Sequence, residues 1–426
     1  MSSTGSRKSF SRRDLLRGAG GVVALGALAA CGGNTGRSSS GGGGAGATIS
    51  QWYHQYGEAG TEQAAKRYAK SYKKATVNVQ WTPGDYASKL ASGLQSNSGP
   101  DVYESQFNVN MARSKQAVPL DDLVADVKSD YNAVDLTTNT YQGKLYGIRM
   151  IDDPQLIYYR KSMLSKAGVE PPQTLDDLVK AAKALTSKKV KGLFAGNDGG
   201  VAMTRPALVA AGADYLTTGD NPTVAFNTPD AAKALGMLHQ MYADKSLLLG
   251  NTTEWTDPSA FTQGLAAMQW CGLWAMPGIQ KAVGDDFGVI AFPRMSDQGK
   301  ASVYSGGWTA FVSGKAKDVD AAKEFVKWLW VDNTADQEDW CLSYGFHIPP
   351  RKSLAAKAKK LQSGPAAEAV KLNSESGITD FPFWTLPMNT AWTDAMNNII
   401  RKGADPRAQL DKAGQQVKKE LAKLNG

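Results

Sequence analysis

TISQWYHQYGEAGTEQAAKRYAKSYKKATVNVQWTPGDYASKLASGLQSNSGPDVYES (residues 48–105) alternates strand-like and helix-like segments, and that order decides the fold class. Thr48–His54 reads as a first strand, 61–74 as an amphipathic helix, 77–82 as a second strand and Tyr86–Gln95 as a second helix. Residues 101–105 make a third strand, entered through the turn pair Gly99-Pro100. This is the start of a doubly wound α/β sheet, in which ligands sit at the carboxyl ends of strands. Those ends carry 52–58, Asp85 and 104–108. Asp85 itself stands where a helix N-cap belongs.

Working outward, Gly143-Lys144-Leu145-Tyr146-Gly147-Ile148 reads as a hairpin, and the chain then becomes helix-rich from 174 to 264. Strand-like 287–291 and 303–313 follow. The next helix places Phe325, Trp328, Leu329 and Val331 on one face. Helices near 335–344, 365–373, Leu386–Lys402 and 408–424 close the chain, with Trp392, Met396 and Ile399 forming a core stripe. At 426 residues the chain exceeds one ordinary core, so two lobes are expected, the second starting near Asp153. No internal repeat, coiled coil or membrane span is legible.

The first 30 residues read as an export signal. Arg7, Lys8, Arg12, Arg13 and Arg17 precede an apolar stretch over 19–30 that is too short to span a bilayer. Ser11-Arg12-Arg13-Asp14-Leu15-Leu16 resembles the twin-arginine motif, with Leu15 where phenylalanine is commoner. Leu28-Ala29-Ala30-Cys31 resembles a lipobox, which predicts acylation of Cys31 and anchoring at the extracytoplasmic face of the membrane. The Gly/Ser-rich stretch 31–47 is a flexible tether.

The whole chain holds 48 Lys and Arg against 40 Asp and Glu, and beyond residue 30 the balance is 43 against 39. No basic cluster interleaved with aromatics appears, so nucleic acid is excluded as a partner. Lysines near 180–191 read as solvated surface. Cys271 and Cys341 are left either to pair outside the cell or to stay buried and free.

Several segments in fixed order resemble the extracellular solute-binding proteins of ABC importers, the family that includes maltose- and trehalose-binding proteins. They are Gly99-Pro100-Asp101-Val102, the stretch 143–148, Ile157-Tyr158-Tyr159-Arg160-Lys161, Ala167-Gly168-Val169 with Pro171-Pro172, and Thr174-Leu175-Asp176-Asp177-Leu178. Gly264-Leu265-Ala266-Ala267-Met268, Gly306-Gly307-Trp308, Ala321-Ala322-Lys323-Glu324-Phe325-Val326 and 345–351 complete the set. The resemblance implies a two-lobed, type II periplasmic-binding-protein-like α/β fold, each lobe a sheet flanked by helices with the ligand cleft between. Mapped here, lobe 1 holds 48–152 and 286–330, and lobe 2 holds 153–285 and 331–426. It also implies a monomeric, non-enzymatic receptor without cofactor or metal, which closes around a carbohydrate and delivers it to permease subunits.

A sugar presents hydroxyls and flat C–H faces, and so calls for a few polar groups beside aromatic rings. Trp52, Trp274, Trp308 and Trp384 read as strand ends or loops rather than core, unlike Trp328 and Trp392. By resemblance, the first strand end supplies Trp52, His54, Gln55 and Glu58. A polar contact aligns with Gln106, near Glu104 and Asn108, where many relatives carry aspartate. A carboxylate after Gly147-Ile148 aligns with Asp152 or Asp153, neighbours expected to point opposite ways, one to ligand and one to a lobe surface. Trp274 matches an aromatic platform, Gly307 and Trp308 a cleft pair, and Arg351 a polar contact. Trp384 lies in the last loop, and Asp380 stands where trehalose-type relatives have arginine.

Two other readings are weighed. A glycosidase needs two carboxylates flanking the scissile bond, which adjacent Asp152 and Asp153 cannot supply. His54, His239 and His347 have no zinc-ligand spacing. The same fold with a polyamine, peptide or phosphorylated cargo would want more carboxylates or a cationic helix N-terminus.

Overall fold

The structure is a computed structural model whose described residues are 46–219, 221–250 and 253–425. The readings on 1–45, Cys31 among them, lie outside these. Among the described residues the strands are β1 (Thr48–His54), β2 (Thr76–Thr82), β3 (Val102–Ser105), β4 (Thr140–Tyr141), β5 (Lys144–Leu145), β6 (Ile148–Arg149), β7 (Asp153–Tyr159), β8 (Lys191–Phe194), β9 (Leu247–Leu248), β10 (Ala266–Gly272), β11 (Gly288–Ile290), β12 (Val303–Gly306), β13 (Thr309–Val312) and β14 (Gly377–Ile378). No helix among the described residues is long and apolar enough to cross a membrane.

The first lobe is built on a sheet of order β2-β1-β3-β13-β6. β1 runs parallel to both β2 and β3, while β13 lies antiparallel between β3 and β6. Its first helix, Thr61–Ser71, buries Ala64, Ala65, Tyr68 and Ala69. The second, Tyr86–Gln95, is capped as expected, the Ser88 amide donating to Asp85 at 3.0 Å. The expected hairpin forms from β4 and β5, its turn made by Gln142 and Gly143, both at positive φ as a two-residue hairpin loop requires.

The second sheet has the order β14-β12-β7-β10-β8-β9, with β11 also paired to β7. β10 is buried at all seven positions, and apart from Gln269, whose Nε2 donates to the Trp255 and Asp257 carbonyls, its residues are apolar or small without alternation. Helices Leu175–Leu185, Pro229–Ala243 and Leu386–Lys402 contribute Leu178, Leu235 and Leu238, then Trp392, Met396 and Ile399, to this lobe's core with Trp270.

Two expectations change. β11 and β12 pair antiparallel with β7, so 288–306 belongs with the second sheet, and the return to the first falls at Gly307-Trp308 rather than near 286. The run 303–313, read as one strand, is two strands in two sheets. The break is enforced at Gly307, whose φ of 134° is open to glycine and where a Cβ would lie 2.1 Å from the Ile151 carbonyl oxygen.

The crossings bind one another. The Met150 amide donates to the Trp308 carbonyl at 2.9 Å, and Asp152 and Ile348 exchange two backbone bonds of 3.0 Å each. Segments 150–152, 307–308 and 347–348 therefore form one hydrogen-bonded seam between the lobes. Cys271 and Cys341 are buried and free, which decides the question left open by sequence.

Candidate functional site

The end of β1 and the seam build a layered aromatic group. The His54 ring packs against both Tyr56 and Trp308, with centroids 3.9 Å away in each case and planes inclined by 38° and 22°. Such offset stacking is favourable beyond the area it buries. Tyr86 meets Trp308 edge-on at 6.2 Å.

Glu104, on β3 and almost fully buried, anchors the group. One carboxylate oxygen accepts from the His54 amide at 2.7 Å and lies 2.5 Å from Nδ1; the other accepts from the Tyr56 hydroxyl at 2.7 Å. The Tyr86 hydroxyl donates to the Glu104 carbonyl at 2.8 Å. Burial, then the Glu104 charge, raises the Tyr56 hydroxyl well above its ordinary pKa, so Tyr56 stays a donor. Exposed Gln106 donates from Nε2 to the Gly307 carbonyl at 3.2 Å, and Gln55 is exposed at the strand end.

Behind this layer lies a chain of buried charges. His347 contacts Asp153 through Nδ1 at 2.5 Å and Glu58 through Nε2 at 3.1 Å. Burial alone would lower the imidazole pKa, but the two carboxylates outweigh it and push it up to about 10. Burial likewise opposes ionisation of Glu58, and the bond and charge of His347 win, holding its carboxyl below the usual value. Arg149 donates from Nε to Asp152 at 2.7 Å and also binds the Gly306 carbonyl. Burial and the neighbouring Asp152 push Asp135 up to about 8.

These contacts correct several sequence expectations. Asp152 and Asp153 do point to different partners, but both are buried and both partners are internal, Arg149 and His347. Trp52 is 8% exposed and packs with Tyr86, Leu90 and Leu94, its Nε1 donating to Ser50 at 3.0 Å; it is core because its face of β1 is covered by the helix Tyr86–Gln95. Arg351 is taken by Asp130 at 2.8 Å and the Val331 carbonyl at 2.9 Å, a structural tie. Asn108 precedes the short helix Val109–Arg113 without capping it by its side chain. Glu104 is spent on internal partners rather than held open.

The second lobe supplies two more aromatic groups, each separate from the His54 stack. Trp274 lies over Gly272, where a Cβ would sit 1.9 Å from the ring, meets Trp255 edge-on at 5.7 Å, and donates to the Thr256 carbonyl at 3.1 Å. Trp384 stacks on Tyr215 at 4.1 Å and 11°. Nearby, Tyr304 donates to Asp380, while Arg205 is paired with Asp214 at 2.8 Å and lies over Phe381 at 4.5 Å.

Sequence reasoning missed Tyr56, Tyr86, Arg149, Trp255 and Tyr215, and gave His347 no role. Spacing held one usable signal: Tyr56 and Glu58 continue the two-residue alternation of His54 beyond the strand. His347, 194 positions from its partner Asp153, carried none.

Two lobes on separate sheets, joined by a seam of crossings, carry aromatic groups held by buried polar residues, the two-lobed arrangement of a solute-binding protein. The chain matches the bacterial extracellular solute-binding protein family over residues 63–369 and belongs to it. It is 23% identical to a galactooligosaccharide-binding protein of Bacillus subtilis over 420 residues, covering 94% of this chain and 95% of that one. To the arabinooligosaccharide-binding protein of the same species it is 25% identical, covering 84% and 88%. Among solved structures, the GacH receptor of Streptomyces glaucescens superposes with a TM-score of 0.75 at 22% identity, covering 89% of this chain and 99% of that one. The family is extracytoplasmic, and its transport receptors are not enzymes.

Proposed function

We propose that this chain is the saccharide receptor of an ABC importer: it takes a mono- or oligosaccharide into the cleft between its lobes and delivers it to the permease. The observation that carries this is the Tyr56–His54–Trp308 group, fixed by buried Glu104 at the seam where the lobes meet. An aromatic surface beside hydrogen-bonding edges suits a sugar's C–H faces and hydroxyls. The curated relatives named for galacto- and arabinooligosaccharides support a saccharide over a polyamine, peptide or phosphorylated solute. Within this reading Gln55, Gln106, Trp274 and Trp384 are further ligand contacts, Gly307 admits the ligand close to the backbone, and Cys31 carries the lipid anchor of a monomeric lipoprotein.

Calorimetry of the full chain carrying Cys31→Ser against galactobiose, melibiose, raffinose, maltose and mannobiose, with products assayed, tests this. The expected result is saturable one-to-one binding of at least one saccharide without turnover. Product formation would replace the receptor by an enzyme, and failure of every saccharide would remove sugar as the cargo.

A further inference from the structure

Tyr56 and Trp308 both pack against the His54 ring at centroid distances of 3.9 Å, so the polar edge of the ring is what is left to direct a hydrogen bond. One end of that edge is occupied, because Nδ1 lies 2.5 Å from the Glu104 carboxylate. Glu104 accepts and cannot donate when ionised, so Nδ1 carries the proton of this contact. At the other end, Nε2 has no hydrogen-bond partner among the described residues. Nor is it among the buried polar atoms left unpaired, and the side chain is 19% exposed. The free nitrogen therefore reaches solvent at the carboxyl end of β1, beside the seam residue Trp308.

We infer that Glu104 is a positioning residue that holds His54 with Nδ1 as donor and so presents Nε2 to the cleft as the atom that reads one sugar hydroxyl. This rests on the saccharide reading above. The conclusion follows from how the contacts divide the work. Glu104 has no free carboxylate oxygen, since His54 and Tyr56 take both, and its effect on a ligand must pass through His54. In the neutral ring, a proton fixed on Nδ1 leaves Nε2 an acceptor, and a hydroxyl meeting it must donate. Trp308, half-buried and stacked on His54 at 3.9 Å, adds an aromatic surface beside the imidazole. Stacking is tolerant of which sugar lies on it; a single directed acceptor is not, and that makes Nε2 the discriminating atom.

The test has two arms on the full chain carrying Cys31→Ser. Ring ¹⁵N correlation spectra, simple in a chain with three histidines, report the tautomer without any ligand. Glu104→Leu, which removes the acceptor, is expected to shift the His54 ring nitrogens toward the Nε2–H form and leave His239 and His347 unmoved; unchanged His54 nitrogens overturn the positioning role. The second arm uses His54→Phe, which keeps a ring in the stack, and titrates the tightest of the five saccharides together with its monodeoxy analogues. Removing one particular hydroxyl should cost wild type about tenfold in affinity, the scale of one good hydrogen bond, and cost the phenylalanine variant much less. An equal loss in both proteins overturns the role of Nε2. If no saccharide binds, the functional reading and the hydroxyl contact fall together, while the spectra still decide on Glu104 by themselves.

Discussion

His347 is a single residue on which three chain segments converge: Glu58 after β1, Asp153 at the start of β7, and its own crossing segment. Its pKa of about 10 lies above the ordinary 6.5, so the stability it contributes is complete below about pH 6.5 and is lost as pH rises through 10. Glu58, held below its usual value, contributes in the opposite sense: present above its ordinary pKa and lost in acid. Denaturant titrations of wild type between pH 6.5 and 10 should show falling stability, and His347→Gln should flatten that dependence. At the lower pH the substitution should cost about 3–5 kcal/mol, because it leaves buried carboxylates uncompensated. Parallel pH curves for the two proteins would argue against the pairing. At this scale sequence named the correct neighbourhood and often the wrong role. Trp52 and Arg351 were expected to face ligand and instead face the core and Asp130, since residue type does not reveal which partner arrives from elsewhere in the chain.

Among the elements, the pair β12 and β13 shows how a local signal is overruled. Residues 303–313 have the composition of one strand, but Gly307 turns the chain so that β12 pairs with β7 and β13 with β3. Gly307→Ala should destabilise the protein by at least about 1–3 kcal/mol from the positive φ alone, with the contact to the Ile151 carbonyl adding to it. A wild-type urea midpoint for this variant would show that the seam tolerates a side chain. By contrast, the helix Tyr86–Gln95 and its Asp85 cap were fully legible, because a cap depends on residues three apart and on nothing distant.

Across the whole molecule, the lobes also touch away from the seam. Thr138 and Thr379 share a hydroxyl bond of 2.7 Å, the Val109 amide donates to the Pro382 carbonyl at 2.8 Å, and Tyr141 meets Phe383 edge-on at 6.1 Å. Each contact is worth on the order of 1 kcal/mol, enough together to bias a hinge. The double variant Tyr141→Ala with Thr379→Ala should therefore show a larger radius of gyration by solution scattering than wild type, with its unfolding midpoint little changed. Identical scattering would mean that the seam alone sets the lobe arrangement.

The sequence by itself determined the alternation of strands and helices, the need for two cores, the Asp85 cap, the aromatic wealth near the strand ends and the family. All of these depend on composition, on periodicity or on residues a few positions apart. Only the tertiary structure decided that the sheets exchange at Gly307-Trp308, that both cysteines stay free, that Asp152 and Asp153 turn inward, and that Glu104 serves His54 instead of a ligand. Apart from the Arg149–Asp152 pair, three residues apart, these contacts join partners about 50 to 200 positions away, and whether a buried polar group is free or already satisfied is fixed only when such a partner is in place.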